Sequence, residues 1–124
     1  MNFLFDTQKA VDIIRERMPW LDWDSPTLSE YIAWHKRNGL ACMSEDGRAL
    51  AIARKVDRPQ EALEYYRHNP FGKILWIECL IAPRRMWKAL IRIAAFRLGQ
   101  FDFVAFARPK HLFRVRMYPA HLFT

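Results

Sequence analysis

The feature that most constrains the fold of this 124-residue chain is a strand–helix–strand pattern over residues 73–107. Residues 73–83 form the best strand in the sequence, because both of its faces are apolar except at Glu78. Residues 86–98 then carry apolar side chains at helical spacing, and residues 101–107 form a second apolar strand. A strand, a helix and a strand in this order make a right-handed crossover, which requires the two strands to be parallel.

The other segments predict helices and antiparallel strands around this unit. In chain order they are helices over residues 6–18 and 25–37, a hairpin over 40–56 that turns at Glu45-Asp46-Gly47, a short helix over 59–67, and an edge strand or extended tail over 113–118. Ser25-Pro26 is a typical helix start, with Ser25 as the N-cap. Together these patterns predict a single α+β domain over residues 1–124. Its mixed sheet combines an antiparallel hairpin with a central parallel βαβ unit and is flanked by helices.

The charge of the chain is concentrated in its second half. The formal net charge is +7, yet residues 1–69 carry ten basic and eleven acidic side chains. Residues 70–124 carry ten basic side chains and two acidic ones, Glu78 and Asp102. This distribution favours an anionic partner for the second half, such as nucleic acid, a phosphate, a carrier protein or a membrane surface. With 52% apolar residues, the composition excludes a disordered chain.

Targeting and cysteine signals favour a cytoplasmic protein. The first residues lack a basic start followed by a long apolar run, so we expect no signal peptide. No apolar run approaches 18 residues, so we expect no membrane span. Cys42 and Cys79 lie in apolar segments and are interpreted as buried thiols of a reducing compartment. The four histidines and two cysteines lack metal-ligand spacing, so no metal site is expected, and no pattern indicates an oligomeric state.

The order of elements resembles that of the GNAT (N-acetyltransferase) superfamily. A local similarity to the toxin-activating lysine acyltransferases lies in Trp76 and Ile81-Ala82-Pro83, and in residues 39–66 with their hairpin strands and acidic short helix ending in tyrosine. The resemblance implies a GNAT-like fold. It also implies transfer of an acyl group from acetyl-CoA, another acyl-CoA or an acyl carrier to an amine.

The resemblance assigns the acyl donor to the turn that opens the helix after the central strand. The implied donor-binding residues are Ile81, Ala82, Arg84, Arg85, Trp87, Lys88 and Ala89. Arg84 and Ala89 fit the family's glycine-rich loop, whose backbone amides hold a pyrophosphate. Trp87 stands where the loop has its first glycine, which lets phosphates approach the backbone. The Trp87 side chain therefore either blocks that approach or turns into the core.

A second departure concerns the catalytic pair of the toxin-activating family. That family uses a histidine near the N-terminal region and an aspartate on the central strand. Here no histidine precedes His35, and Cys79 occupies the aspartate position. The pair is therefore not carried over, and a degenerate, non-catalytic member is an open alternative to an active enzyme.

Arg84 and Arg85 are also unusual on physical grounds, because they place two positive charges at the start of a predicted helix. Positive charge at the positive end of a helix dipole is disfavoured by about 0.3–1 kcal/mol for each side chain. A bound anion reverses the sign of that effect, because exposed amides and two guanidinium groups suit a phosphate. Two interpretations stay open, which are an anion site at Arg84 and Arg85 or two solvated arginines on a loop.

Glu78 and Tyr118 are the candidate catalytic residues. Strand alternation places Glu78 on one face with Trp76 and Leu80, where a carboxyl group requires a partner to stay ionised. The resemblance allows Glu78 to act as general base for the substrate amine; the alternative is a salt bridge to Arg54, Arg108 or another base. The resemblance likewise allows Tyr118 to reprotonate the leaving thiolate, and the alternative is that it covers a sheet edge.

The last part of the chain supports a second function hypothesis. Residues 108–118 interleave basic side chains with rings, a composition that suits phosphates and stacked bases. It equally suits a basic edge strand that discourages edge-to-edge pairing. The alternative to an acyltransferase is thus a non-catalytic basic module that contacts nucleic acid or a protein, for example in a phage particle or a prokaryotic complex.

Overall fold

The computed structural model of the protein describes residues 6–44, 46–64, 66–108 and 114–123. These residues form an α+β fold with three α-helices and a five-stranded sheet. The elements are α1 (Thr7–Arg17), α2 (Ser25–Arg37), β1 (Ala41–Met43), β2 (Leu50–Val56), β3 (Ile74–Ile81), α3 (Trp87–Leu98), β4 (Phe103–Arg108) and β5 (Arg114–Pro119). The predicted fold class is therefore confirmed.

The sheet follows the chain in the order β1-β2-β3-β4-β5, with β3 at its centre. Strands β3 and β4 pair in parallel across the α3 crossover, and every other neighbouring pair is antiparallel. Helices α1 and α2 pack on one face, against residues such as Leu50, Ile52 and Cys79. Helix α3 packs on the other face, against Leu75 and Ile77. The two apolar faces expected for the central strand are thus both covered.

A β-bulge interrupts the pairing of β2 with β3 at Glu78. Ile52 pairs with Cys79 and the next residue, Ala53, pairs with Ile77, so Glu78 has no partner across the ladder. A bulge of this kind adds one residue to one strand and redirects its side chains. The predicted alternation beyond Glu78 is therefore wrong. Leu80 lies on the α3 face rather than beside Glu78.

Several element boundaries differ from those predicted. Asp24, not Ser25, caps α2, because its carboxylate accepts a hydrogen bond from the Thr27 amide. The short helix predicted over 59–67 is a 3-10 helix over Pro59–Leu63. Residues 114–119 form an antiparallel edge strand, one of the two alternatives for the tail. Glu45 of the predicted turn and residues 109–113 of the tail lie outside the described residues.

A buried lysine holds the sheet and α3 together. The Lys55 side chain is 2% exposed, and its Nζ donates hydrogen bonds to the carbonyls of Pro70, Leu98 and Gln100 at 2.8–3.0 Å. Burial lowers the pKa of this amine. Three carbonyl partners satisfy all three of its N–H donors, which is the condition for burying an ammonium group without a carboxylate.

Two further sequence expectations concern thiols and membrane spans. Cys42 is half-buried and Cys79 is buried, and both thiols are free. Burial raises the pKa of Cys79 to about 12, so this thiol stays protonated. In the described part of the chain, no helix has the length and apolar character needed to cross a bilayer.

Candidate active site

Glu78 accepts hydrogen bonds from three side chains that come from three different elements. Its Oε1 accepts from the Tyr31 hydroxyl at 2.7 Å and from an Arg54 guanidinium nitrogen at 3.1 Å, and its Oε2 accepts from Trp76 Nε1 at 2.8 Å. The predicted alternative of a salt bridge to Arg54 is confirmed. The Glu78 side chain remains 23% exposed. A carboxylate offers about four acceptor positions, and side chains of the described residues occupy three of them.

Arg54 fixes the orientation of this carboxylate from inside the protein. Its side chain is fully buried and donates to the carbonyls of Ala62, Glu64 and Arg67 besides Glu78. One guanidinium group thereby joins strand β2, the 3-10 segment and the bulge of β3. Because a planar guanidinium presents its donors in a fixed fork, these contacts restrict where Glu78 can lie.

Tyr31 is a site residue that sequence reasoning assigned only to the packed face of α2. Its hydroxyl is the donor to Glu78, and burial together with the nearby Glu78 carboxylate raises the pKa of Tyr31 well above its usual range. Tyr31 therefore keeps its proton and remains the donor in this hydrogen bond. Its sequence position relates it to no residue of the central strand, so only the packing of α2 on the sheet reveals the contact.

An aromatic cluster adjoins this site on α2. The ring centres of Trp34, His35 and Tyr66 lie 4.2–6.4 Å from one another or from that of Tyr31. Tyr66 has a backbone φ of 66°, a left-handed conformation that is costly for a non-glycine residue. Its ring contacts with Trp34 and Tyr31 offset that cost.

His35 is buried at the base of the aromatic cluster. Its Nδ1 lies 2.7 Å from the Tyr31 carbonyl, so Nδ1 carries the proton and Nε2 is the acceptor in the neutral ring. Nε2 is buried and has no hydrogen-bond partner among the described residues. Burial, with a smaller effect from Arg54, lowers the pKa of His35 to about 4. The ring is therefore neutral at physiological pH.

We expect His35 to make the protein less stable in mild acid. Its folded pKa, about 4, lies below the ordinary value of 6.5, so between these values the unfolded chain binds a proton that the folded chain excludes. The free energy of unfolding should fall as pH falls through this window, by about 3 kcal/mol in total. Urea unfolding of wild type and His35→Phe at pH 7 and pH 4.5 measures the effect.

The carboxylates and His68, whose pKa burial also lowers, titrate equally in both proteins, so the difference isolates His35. His121→Gln at an exposed position is the control and should keep the wild-type pH dependence. An unchanged pH dependence in His35→Phe would contradict the assignment of a buried neutral ring.

The residues assigned to the acyl donor surround the turn between β3 and α3. Ile81 and Ala82 are half-buried at the end of β3, while Arg84, Arg85, Lys88 and Ala89 are exposed. Trp87 is half-buried and donates from its Nε1 to the Ala82 carbonyl at 3.1 Å, with the Arg84 guanidinium 5.8 Å from its ring centre. The Trp87 ring therefore lies over the turn itself, where it limits access to the first amides of α3.

Strands β3 and β4 pair over only three residues. The parallel ladder joins Ile74, Leu75 and Trp76 to residues 103–105 and ends there. Beyond it, β3 stays paired with β2, and β4 stays paired with β5. The two parallel strands thus part at their carboxyl ends, next to Glu78.

Tyr118 lies away from Glu78. It pairs with Val104 on the face of the sheet that α3 covers, where it stacks on Phe106 at 5.7 Å and contacts Phe123. Glu78 is on the opposite face with Trp76. The structure thus brings Glu78 together with Tyr31, Arg54 and Trp76, but does not bring the two predicted catalytic residues together.

The described residues contain no group of three or more His, Cys, Asp or Glu side chains arranged to hold a metal ion. Comparisons of the chain with protein-family models, with curated proteins and with solved structures find no significant match.

Proposed function

We propose that the protein is a GNAT-like acyltransferase that moves an acyl group from a CoA or carrier thioester to an amine. The observation that carries the proposal is the parting of β3 and β4 beside Glu78. In sheets with parallel strands, ligands bind in the crevice at the carboxyl ends of the strands. Here that crevice would lie beside the one carboxylate that the bulge exposes on the central strand.

The backbone of β3 supplies the binding surface for the donor. Past Trp76, the edge of β3 that faces β4 is outside the ladder of the described residues, so its N–H and C=O groups would pair with the amide groups of a pantetheine arm. The exposed Arg84 and Arg85 at the start of the following helical turn provide positive charge for the phosphates. Trp87 restricts this second contact, which predicts weak donor binding in the wild-type protein.

Glu78 is placed to assist the amine. The amine nitrogen attacks the thioester carbonyl, a C–N bond forms, the C–S bond breaks, and the proton lost by the nitrogen ends on the thiolate. Glu78 accepts that proton transiently, directly or through one water, at its remaining acceptor position. Its three donors orient the carboxylate for this step.

Calorimetric titration of the wild type with acetyl-CoA tests the proposal. Titration of Trp87→Ala tests whether the Trp87 ring limits donor binding. Removing the ring opens the turn to phosphate, so we expect this variant to bind acetyl-CoA about tenfold more tightly, which corresponds to about 1.4 kcal/mol. Because Trp87 is half-buried, its loss should lower the free energy of unfolding by only about 1–2 kcal/mol. Trp87→Phe, which keeps a ring over the turn, is the matched control and should bind as the wild type does.

A basic binding module remains the second candidate, and the surface of α3 favours it. Arg85, Lys88 and Arg92 form an exposed stripe at helical spacing. Titration with duplex DNA at two salt concentrations separates the two functions. Salt-dependent DNA binding, with no acetyl-CoA binding to wild type or Trp87→Ala at millimolar ligand, would refute the acyltransferase and support the module.

A further inference from the structure

A cleft of about 570 Å³ opens beyond the carboxyl end of β3, on the side of the β1–β2 hairpin. It is lined by Arg17, Arg48, Leu80, Ile81, Ala82 and Pro83. The strand end forms an apolar floor, and two guanidinium groups provide the charge. The sequence patterns do not connect these two arginines, because Arg17 is in the first helix and Arg48 is in the hairpin, 31 residues later.

The packing of the hairpin on α1 brings the two arginines to one cleft. At the hairpin tip, a Cβ on Gly47 would lie 2.6 Å from Lys9 Cε and 3.8 Å from Ile13 Cδ1, so the tip rests on these side chains. Lys9, Ile13 and Arg17 share one face of α1, since they are four residues apart. Arg17 therefore lies on the face of α1 that contacts the hairpin. Arg48 is the residue after Gly47, so it lies next to this contact.

The charge in the cleft is largely uncompensated. No Asp or Glu is among its lining residues in the described part of the chain. Arg48 Nε does lie 3.8 Å from an Asp46 oxygen, but both side chains are well exposed, and such pairs are weak. The other Asp46 oxygen is engaged by Ser44 Oγ and the Arg48 amide. Two guanidinium groups beside one cleft repel each other, and an anion between them removes that repulsion.

We propose that this cleft binds a carboxylate or phosphate group carried by the acceptor amine. The assignment to the acceptor rests on the proposed function. The donor crevice is on the β4 side of β3, whereas the cleft lies beyond the end of β3 on its β2 side, so a donor and an acceptor would approach the strand from different directions. Glu78 is three residues before Ile81, about 10 Å along a strand. The acceptor class is therefore an amine that carries an anionic group about 10 Å away, as in a short peptide with a free carboxylate.

Titrations with inorganic phosphate and with succinate, followed through the arginine Nε–Hε NMR signals, test the anion site. We expect millimolar binding that shifts the signals of Arg17 and Arg48. Arg17→Ala and Arg48→Ala should each weaken binding about tenfold. Arg37→Ala is the matched control, because Arg37 is also exposed in the last turn of a helix. The anion with the lower Kd, phosphate or succinate, identifies whether the site prefers a phosphate or a carboxylate group.

The same variants are then titrated with acetyl-CoA, which separates the two proposals. Unchanged acetyl-CoA affinity with lost anion binding supports an acceptor subsite. Weakened acetyl-CoA binding in Arg17→Ala and Arg48→Ala would overturn it, because the cleft would then hold the donor's phosphates. Absence of anion binding, or equal loss in Arg37→Ala, would also overturn it. Anion binding at Arg17 and Arg48, with no acetyl-CoA binding by either the wild type or Trp87→Ala, would refute the acyltransferase while supporting the anion site.

Discussion

Replacing Arg54 by methionine is expected to lower the free energy of unfolding by about 3–5 kcal/mol, the usual cost of breaking a buried ion pair by removing one partner. Methionine fills much of the same volume but donates no hydrogen bond. The carbonyls of Ala62 and Glu64 lose their guanidinium donor, and Glu78 loses its positive partner. Urea unfolding of wild type and variant at pH 7 measures the difference.

A matched control and a double variant separate the causes. Arg37→Met removes an exposed arginine and should change stability by less than about 0.5 kcal/mol. In the double variant Arg54→Met, Glu78→Gln, no charge is left without a partner. We therefore expect it to be less destabilised than the sum of the two single variants. A loss below about 1 kcal/mol in Arg54→Met would contradict the view that this guanidinium joins β2, the 3-10 segment and β3.

The central unit of the fold was predictable because its signals are local and agree with one another. Residues 73–107 contain an apolar run, a helical pattern and a second apolar run. Such a strand–helix–strand connection is right-handed and joins parallel strands, and β3, α3 and β4 form this arrangement. The Asp46-Gly47 hairpin and the two opening helices follow equally from turn and spacing rules. Each of these elements depends on residues that are close in the chain.

The candidate site was less predictable because it depends on one backbone irregularity and on distant contacts. The bulge at Glu78 has no signature in an apolar run, yet it decides that Leu80 and Glu78 lie on opposite faces. Tyr31 reaches Glu78 across 47 residues, a contact set by how α2 packs on the sheet. Of the three donors to Glu78, only Arg54 could be proposed in advance, since a carboxylate in apolar surroundings calls for a base.

The bulge links the fold to the proposed chemistry. Without it, regular pairing would continue through β2 and β3, and every side chain of the central strand would keep its alternating face. With it, Glu78 gains a position between Tyr31, Arg54 and Trp76, next to the place where β3 and β4 part. The bulge therefore places the Glu78 carboxylate among polar partners instead of apolar side chains. It also places Glu78 beside the opening where the parallel strands β3 and β4 part.

Glu78→Gln is expected to reduce acyl transfer by about 10²–10⁴-fold, the usual contribution of a general base. Glutamine keeps an oxygen that can accept from Tyr31 and Arg54, but it loses the basic group, and its amide nitrogen replaces the oxygen that accepts from Trp76. The assay is thiol release from acetyl-CoA with triglycine as acceptor, since three extended residues separate its amine and carboxylate by about 10 Å. Acetyl-CoA affinity should stay within about threefold of wild type, because the proposed donor site is the edge of β3 and the α3 turn rather than Glu78.

Glu30→Gln is the matched control for Glu78→Gln. Glu30 is exposed on α2, near the aromatic cluster but outside the donors of Glu78, and its variant should retain the wild-type rate. A Glu78→Gln protein that transfers at the wild-type rate would show that Glu78 only orders Tyr31 and Arg54. Wild type that binds acetyl-CoA yet releases no thiol with triglycine would contradict the acceptor class. Loss of rate with unchanged donor affinity places the role of the carboxylate after donor binding, as a general base requires.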